Sequence, residues 1–224
     1  MKMKLKNYNW EKLSLELVAV FLGVTAGFVL NNWQVEHQER RLEQKYISGF
    51  QQDVAYNNSE LENALQADSL WLARTKPLIL LVKEKTLPID SAHVIMRLLS
   101  NISRIEYNTG TYSDITNSGN LNLITDFELK DQIVDYQIAI NGVNFIDDYF
   151  YQYFSDFVMP LIFREYNILN GEFGDLTVIK SNSFSNVFAG YYSMIQQRQA
   201  AYKSLLVKSK SLEAKLNASI TAPT

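Results

Sequence analysis

Few side chains in this chain of 224 residues could carry acid-base or metal chemistry. His37 and His93 are its two histidines, and neither stands in a metal-ligand spacing such as HExxH. Cysteine is absent, which excludes disulfides, thiolate metal sites and a thiol nucleophile. No glycine-rich phosphate loop and no GxSxG motif occurs. The sequence therefore predicts no catalytic residue, no metal and no cofactor, and we interpret the chain as a protein that is not an enzyme.

Carboxylates among aromatic residues are the remaining candidates for chemistry. Asp147, Asp148 and Asp156 could bind a cation or act as acid and base if they were buried. Neighbouring residues on a helix point about 100° apart, so Asp147 and Asp148 cannot easily chelate one ion together. We therefore expect these carboxylates to form the solvated edge of an aromatic helix face. Ser118-Gly119 could belong to a binding loop, and we interpret it as a helix stop followed by a turn.

One long helix must position these carboxylates. Asp126 can cap its first turn, and Pro160 should kink or end it. Its aromatic residues form an i+4 ladder with two more rings alongside: Phe145, Tyr149, Tyr153 and Phe157, then Phe150 and Phe154. A ligand box is one interpretation of this set. We favour the other, a wide buried face that packs on two neighbouring helices.

Two more long helices are expected around this one. No proline occurs between Trp33 and Thr75, and apolar residues recur there at steps of three and four, as in an amphipathic helix. Pro77 predicts that this helix ends near Lys76, which leaves residues 78–82 as a separate buried segment. The last helix starts after Ser183. Together these elements predict an all-α protein whose helices form a bundle, with coiled-coil packing between neighbours.

The first part of the chain reads as a membrane anchor. Leu13 to Leu30 would span roughly 27 Å as a helix, against a hydrocarbon core of about 30 Å. Trp10 and Trp33 would lie roughly 35 Å apart along that helix, so both rings could rest at the headgroup levels. The expected segments are a cytoplasmic tail (residues 1–12), a transmembrane helix (13–33), a juxtamembrane helix (34–76), the rest of the bundle (77–220) and a frayed tail (221–224).

Small and polar residues share one face of the predicted membrane helix. At about 100° per residue this stripe stays within about 60° of one line. Its members are Glu16, Ala19, Gly23, Gly27 and Asn31. Gly23 and Gly27 form a GxxxG, which lets a second helix approach closely, and a membrane carboxylate such as Glu16 usually faces protein or water. Alternatively, Glu16 lies near the interface, pairs with Lys12 and snorkels.

The charges around the anchor predict its orientation. Lys2, Lys4 and Lys6 would suit a signal peptide, but no small-residue cleavage site follows the apolar run, so we expect a retained anchor. The lysines before the span favour a cytoplasmic N-terminus in a bacterial inner membrane, with most of the chain in the periplasm. The net charge of −3 and the lack of a basic block argue against nucleic acid. The expected partners are membrane lipid and either a second copy or another membrane protein.

Several stretches resemble a family of uncharacterised single-pass membrane proteins that is frequent in the Bacteroidota. They are Glu16-Leu-Val, Gly23, Asn31-Asn32-Trp33, Arg40-Arg41, residues 117–124, residues 129–136 and Pro160. The family typically continues Asn-Asn-Trp with Asn-Glu, where this chain has Gln34-Val35-Glu36. The resemblance covers almost the whole chain and implies the topology and the order of elements. It implies no activity.

Two functional hypotheses from different classes follow. The first is an anchored helical scaffold or interaction protein that self-associates or docks a membrane partner through the small-residue stripe. The second is an extracytoplasmic sensory or ligand-binding bundle that signals through another membrane protein, which is an analogy at the level of the fold. An enzyme is the third possibility.

Overall fold

The computed structural model describes residues 10–221 of the chain, with side chains for Lys12 and for residues 14–219. The protein is all-α, as the sequence predicts. Most of the two predicted tails, residues 1–12 and 221–224, lies outside the described residues, and so does the side chain of Trp10.

Six α-helices make up most of the described chain. They are α1 (Trp10–Lys83), α2 (Ile89–Leu99), α3 (Gly110–Asn117), α4 (Phe127–Tyr153), α5 (Met159–Glu165) and α6 (Asn182–Thr221). A π-helical turn at Phe154–Val158 joins α4 to α5, and 3-10 turns lie at Asn120–Leu123 and Leu176–Lys180. Two short antiparallel strands follow α5: β1 (Tyr166–Asn167) and β2 (Glu172–Phe173).

The chain divides into two compact units between Tyr46 and Ile47. In the first unit, the apolar residues of α1 from Leu15 to Leu30 are exposed. Within the described residues, α1 is the one helix long and apolar enough to cross a membrane, and none of its apolar window is buried. The candidate membrane helix is therefore present, whereas the predicted segment boundaries stay predictions.

Helix α1 continues through Pro77 to Lys83, so the predicted helix end near Lys76 is wrong. Proline removes one backbone hydrogen bond from a helix interior and crowds the preceding turn. Packing compensates for this cost, because Leu78 and Ile79 lie against the core and Val82 is buried in it. Thr75, which is fully buried, donates its hydroxyl hydrogen bond to the carbonyl of Trp71 at 2.8 Å.

In the second unit, α6 lies antiparallel to α1. The amide of Gln51 donates to Asn217 Oδ1 at 2.9 Å, and Gln199 donates to Ser69 Oγ at 2.8 Å. These bonds join the early part of one helix to the late part of the other. They fix one register over about eighteen residues of each helix, roughly 27 Å.

Helix α4 lies antiparallel to the other side of α6. Lys215 donates to Glu128 at 2.8 Å near one end, and the Tyr153 hydroxyl donates to the carbonyl of Val187 at 3.1 Å near the other. Gly190 permits this second contact, since a Cβ there would lie 2.1 Å from the Tyr153 hydroxyl oxygen. Helices α1, α4 and α6 therefore form the three-helix frame of this unit.

The larger core lies where α2, α5 and the end of α4 meet α6. Phe150, Phe184, Phe188 and Tyr191 are its largest fully buried rings. Phe150 is 1% exposed, so its predicted core position is confirmed.

Most of the predicted aromatic ladder faces solvent. Phe145, Tyr149 and Phe157 are 74%, 55% and 53% exposed, so their prediction as a buried face is wrong. Ile140 and Val143 lie on the buried stripe of α4. The helical period continues this stripe through Asp147 and Phe150, so the aromatic ladder lies on another face of the helix. The π turn follows at Phe154–Val158. Pro160 lies just after it, and its nitrogen carries no hydrogen for the backbone hydrogen bond that an α-helix would form there.

Turn chemistry in the second unit follows the sequence closely. Asp126 accepts a hydrogen bond from the Leu129 amide at 3.1 Å, which confirms the predicted cap of α4. Gly119 has φ of 72°, which confirms the left-handed stop after α3. Asp53 on α1 accepts from the amide of Thr111 at 2.9 Å and so satisfies the first turn of α3 from outside that helix.

Candidate functional site

Each helix of the three-helix frame contributes a charged or polar side chain to one buried cluster. Asp68 comes from α1, Asp147 from α4, and Arg198 and Tyr202 from α6, and their exposed fractions are 3%, 1%, 4% and 1%. Charged groups are rarely buried to this degree unless they are paired. We call these four residues the charge cluster.

Arg198 lies at the centre of the charge cluster. Its Nε donates to Asp68 Oδ2 at 3.1 Å, its Nη2 donates to Asp68 Oδ1, and its Nη1 donates to the carbonyl of Ser103 at 3.1 Å. The guanidinium also lies 4.4 Å from the centre of the Phe150 ring. This forked arrangement matches the planar geometry by which arginine binds a carboxylate.

Asp147 and Tyr202 form the second pair of the charge cluster. The Tyr202 hydroxyl donates to Asp147 Oδ1 at 2.8 Å. The other carboxylate oxygen, Oδ2, and the hydroxyl of Tyr107 are buried without a hydrogen-bond partner among the described residues. An unpaired buried oxygen costs free energy, so the carboxyl is more stable when a proton occupies it.

The pKa values in the cluster follow from burial and from these bonds. Burial raises the pKa of Asp147, and the Tyr202 hydrogen bond and the charge of Arg198 only partly oppose this. Burial also raises the pKa of Asp68 against the opposing effect of Arg198. Burial is the largest effect on Arg198 and would lower its pKa, but the hydrogen bonds to Asp68 and the negative charge of Asp68, with smaller effects of Tyr202 and Asp147, together raise it. The forked bonds of Arg198 favour an ion pair with Asp68, and the folded protein binds a proton at Asp147 more tightly than an exposed aspartate does.

Residues 100–109 form an extended strap that the polar groups of the bundle hold in place. Asn57 donates to the carbonyl of Asn108 at 2.9 Å and accepts from its amide at 2.7 Å. Tyr191 donates to the carbonyl of Asn101 at 3.1 Å. Together with the bond from Arg198, these side chains give the strap the backbone partners that a sheet or helix would otherwise supply.

Two grooves lie on the second unit. The first, of about 350 Å³, separates the strap from α4 and is mainly polar. Its lining residues are Arg104, Ile105, Glu106, Tyr107, Thr109, Gln137, Asn141 and Asn144. The second, of about 520 Å³, lies between α1 and α2 and has an apolar floor. Its lining residues are Arg74, Leu78, Ser91, Val94, Arg97, Leu98 and Asn101.

The cluster combines a buried carboxyl of raised pKa, Asp147, with the salt bridge between Arg198 and Asp68. Tyr107 lines the polar groove, and the charge of Asp147 raises the pKa of its hydroxyl in addition to the larger effect of burial. Within residues 10–221, no group of three histidine or acidic side chains is placed to hold a metal ion.

The predicted acidic candidates separate in the structure. Asp147 is buried, so its expected place on a solvated edge is wrong, because the buried stripe of α4 passes through it. Asp148 is exposed and pairs with Arg104 at 2.9 Å, and Asp156 is exposed. Ser118 closes α3 ahead of the left-handed glycine, as a helix stop requires.

The predicted membrane stripe lies on α1 in the first unit. Its five residues are exposed: Glu16, Ala19, Gly23, Gly27 and Asn31. A Cβ placed at either glycine would meet nothing within 4 Å. The contact of this stripe with a second helix stays a prediction.

The aromatic residue at the end of the apolar segment is also exposed. Trp33 is 65% exposed and stacks on the ring of His37, with centroids 5.6 Å apart. Its predicted place at a headgroup level, with Trp10 at the other level, stays a prediction.

Asp68 and Arg198 were missed by the search for sites in the sequence. Both stand at positions of an apolar helical stripe, between Leu65 and Leu72 in α1 and between Ile195 and Tyr202 in α6. A charged residue at such a position is the available signal, because it must be buried with a partner when the stripe packs. Which two charges meet depends on the register of helices about 130 residues apart.

Comparison with known protein families, with curated proteins and with solved structures gives no match. The fold and the site define the class: an all-α protein with one candidate membrane helix and a bundle that encloses a charge cluster.

Proposed function

We propose that the protein is a membrane-anchored helical scaffold that self-associates or docks another membrane protein. The observation that carries this proposal is the fully exposed apolar segment of α1, which belongs to the same chain as a bundle with its own closed core. Apolar surface of this length is stable in lipid or against another protein. A scaffold role needs only such an anchor and a rigid bundle.

We further propose that the anchor lies in a bacterial inner membrane, with the bundle in the periplasm. The lysines that precede the span support this orientation, by the rule that positive residues stay on the cytoplasmic side. The resemblance to the single-pass family of the Bacteroidota supports the same arrangement.

The small-residue stripe is the proposed contact of the anchor. Membrane helices gain nothing by hiding apolar surface from lipid, so their association depends on close packing and polar bonds. Gly23 and Gly27 offer open backbone for such packing, and Glu16 would face the partner instead of lipid.

The test replaces both glycines with leucine in the full-length protein. Gly23→Leu with Gly27→Leu should abolish cross-linking of the stripe while leaving insertion intact, because leucine is at least as soluble in lipid as glycine. The measurement is chemical cross-linking in membranes, followed by light scattering in mild detergent.

The matched control is Val18→Leu with Val29→Leu, which changes two exposed residues on the opposite face of the same helix. This control should associate as the wild type does. Unchanged cross-linking between the anchors in the glycine variant, or its loss in both variants, would count against the stripe.

A sensory function is the second candidate. It is favoured by the polar groove between the strap and α4, whose lining includes the amide side chains of Gln137, Asn141 and Asn144. Asp68 of the charge cluster belongs to α1, the helix that carries the candidate membrane segment. Mass spectrometry of the detergent-purified protein, wild type against Tyr107→Phe with Asn141→Ala, tests for a small polar ligand. Absence of any ligand that the variant loses would exclude this candidate.

A further inference from the structure

Helix α4 has two apolar faces, and the structure covers only one of them. The buried face carries Ile133, Ile140, Val143 and Phe150. On the opposite side, within about 40° of one line, lie three rings and an isoleucine. They are Phe127, Ile138, Phe145 and Tyr149, and we call them the outer face.

The outer face continues beyond α4. Phe157 would turn away in an unbroken α-helix, but the π turn at Phe154–Val158 holds one extra residue and so rotates it back toward the same line. Phe157 is 53% exposed. The outer face therefore runs from Phe127 to Phe157, roughly 45 Å of helix.

The exposed area of this face is large for a monomer. Its five side chains are between 53% and 74% exposed. At roughly 200 Å² for a large side chain, they present about 600 Å² of apolar surface. The largest patch on a typical monomer is about 300–600 Å², and a stable interface buries about 800 Å² on each partner. The five side chains alone therefore supply about three quarters of the area that each partner buries in a stable interface.

The charges beside the outer face indicate what kind of surface can cover it. The exposed residues beside the outer face include Asp131, Asp135 and Asp148, while Lys130 is the one basic residue of α4. Anionic lipid surfaces attract lysine and arginine, so this acidic face does not suit them. The occupant has to be an apolar protein surface.

We propose that the outer face pairs with the outer face of a second copy of this chain, antiparallel and about a two-fold axis at Gly142. Gly142 lies between Ile138 and Phe145, and a Cβ there would meet nothing within 4 Å, so two helices can approach closely at this point. A two-fold axis makes the interface isologous, which requires one surface to match itself.

The order of residues along the helix has this symmetry. Phe127 and Phe157 are the same number of residues from Gly142, one before it and one after it. Phe127 of one copy therefore lies opposite Phe157 of the other copy. Ile138 lies opposite the turn that carries Phe145. The same arrangement places Asp135 opposite Tyr149.

Charge also decides the direction of pairing. In a parallel pair Asp131 and Asp135 would each lie beside their own copies, and like charges that face each other are destabilising. In the antiparallel pair they lie opposite tyrosines instead. The pairing deepens the proposed scaffold function, because it supplies a contact in the bundle that is distinct from the stripe of the anchor.

The test uses single cysteines, which the native chain lacks. In full-length protein carrying Gly23→Leu and Gly27→Leu, Gly142→Cys should cross-link to its own copy with a short bismaleimide. Phe127→Cys should not react with itself, but should cross-link to Phe157→Cys when the two variants are co-expressed with different tags. This pattern is specific to the antiparallel register, since a parallel pair would cross-link each variant to itself.

Two controls complete the test. Val207→Cys, on α6 and 72% exposed, should give no cross-link above random collision. Phe145→Glu should abolish the Gly142→Cys product, whereas Val207→Glu should leave it unchanged. No product from Gly142→Cys above the Val207→Cys level would overturn the pairing. That failure is separate from failure of the scaffold proposal, because the contact of the stripe is measured in a Phe145→Glu background, in which the outer face cannot pair.

Discussion

Arg198 bonds through all three of its guanidinium nitrogens inside the bundle. Two of them bind Asp68 and the third binds the carbonyl of Ser103, so one residue of α6 joins α1 and the strap. Removing one partner of a buried pair typically costs about 3–5 kcal/mol, because the other charge stays behind unpaired. The pair therefore specifies which helix faces meet, more than it adds net stability.

Asp147 should make the stability of the bundle depend on pH. Burial raises its pKa above the ordinary 3.8, so the folded state binds this proton more tightly than the unfolded state does. The contribution of Asp147 to the free energy of unfolding then falls as pH rises from about 3.8 through the raised pKa, and is constant above it. Asp147→Asn has no proton to lose, so its stability relative to wild type should increase with pH across that window. The gain is about 1.4 kcal/mol for each unit by which the pKa is raised.

The measurement is urea unfolding of the full-length protein in detergent between about pH 4 and about pH 8. Trp71 is the fluorescent probe, in a background where Trp10 and Trp33 are phenylalanine, because its ring lies 5.2 Å from that of Tyr191 in the core. Asp148→Asn is the matched control on the exposed neighbour. A stability difference for Asp147→Asn that does not vary with pH would show that this carboxyl keeps an ordinary pKa in the fold.

The sequence alone identifies Phe150 as core but misplaces the carboxylate three residues earlier. The composition and the helical period predict that α4 has an apolar face. Because this helix has two apolar faces, the sequence does not show which of them packs against the bundle. The answer depends on the partners, chiefly on Tyr202, whose hydroxyl reaches Asp147. For the same reason the ladder residue Phe145 reads as core in the sequence and lies outside it in the fold.

Among the elements, α6 depends on one glycine for its contact with α4. In an exposed helix interior, replacing glycine with alanine usually stabilises the helix by up to about 1 kcal/mol. At Gly190, however, a Cβ would lie 2.1 Å from the Tyr153 hydroxyl oxygen and 2.7 Å from its Cζ. Gly190→Ala should therefore destabilise the bundle, by about 1–3 kcal/mol as overpacking typically does. The measurement is the same urea unfolding at neutral pH.

Relief of the clash is the control for this prediction. Tyr153→Leu should itself cost stability, because it removes the bond to Val187. Adding Gly190→Ala to Tyr153→Leu should cost little or nothing further, since the ring is gone. If Gly190→Ala alone is as stable as the wild type, the close approach of the ring is not a constraint on α6.

Features of the fold that depend on a few neighbouring residues can be predicted from the sequence of this chain. The Asp126 cap and the left-handed Gly119 depend on one or two residues, and both are confirmed. Pro77 is also a local signal, but packing of the residues beyond it on the core holds the helix together. The register between α1 and α6 has no local signal, because it is fixed by bonds between residues more than 100 positions apart.

For the whole molecule, orientation in the membrane is the most direct test. If the lysines of the tail stay in the cytoplasm, a reporter that is active only in the cytoplasm should give no signal when it is fused after Thr224. A reporter active only in the periplasm should give a strong signal at the same position. The measurement is enzyme activity of the two fusions in intact cells.

A fusion of each reporter to residue 9 provides the opposite control. Strong activity of the cytoplasmic reporter after Thr224 would reverse the proposed orientation. Equal activity of the two reporters at one position would contradict a single fixed topology.

The distance along the chain between Asp68 and Arg198 has a consequence for synthesis. A ribosome that adds about 5–20 residues per second needs roughly 7–25 s to make the 130 residues between them. During that interval the apolar stripe of α1 has left the ribosome without the helix that covers it, and Asp68 is without its counter-ion. A factor that binds the exposed stripe would protect the nascent chain from aggregation until α6 has been made.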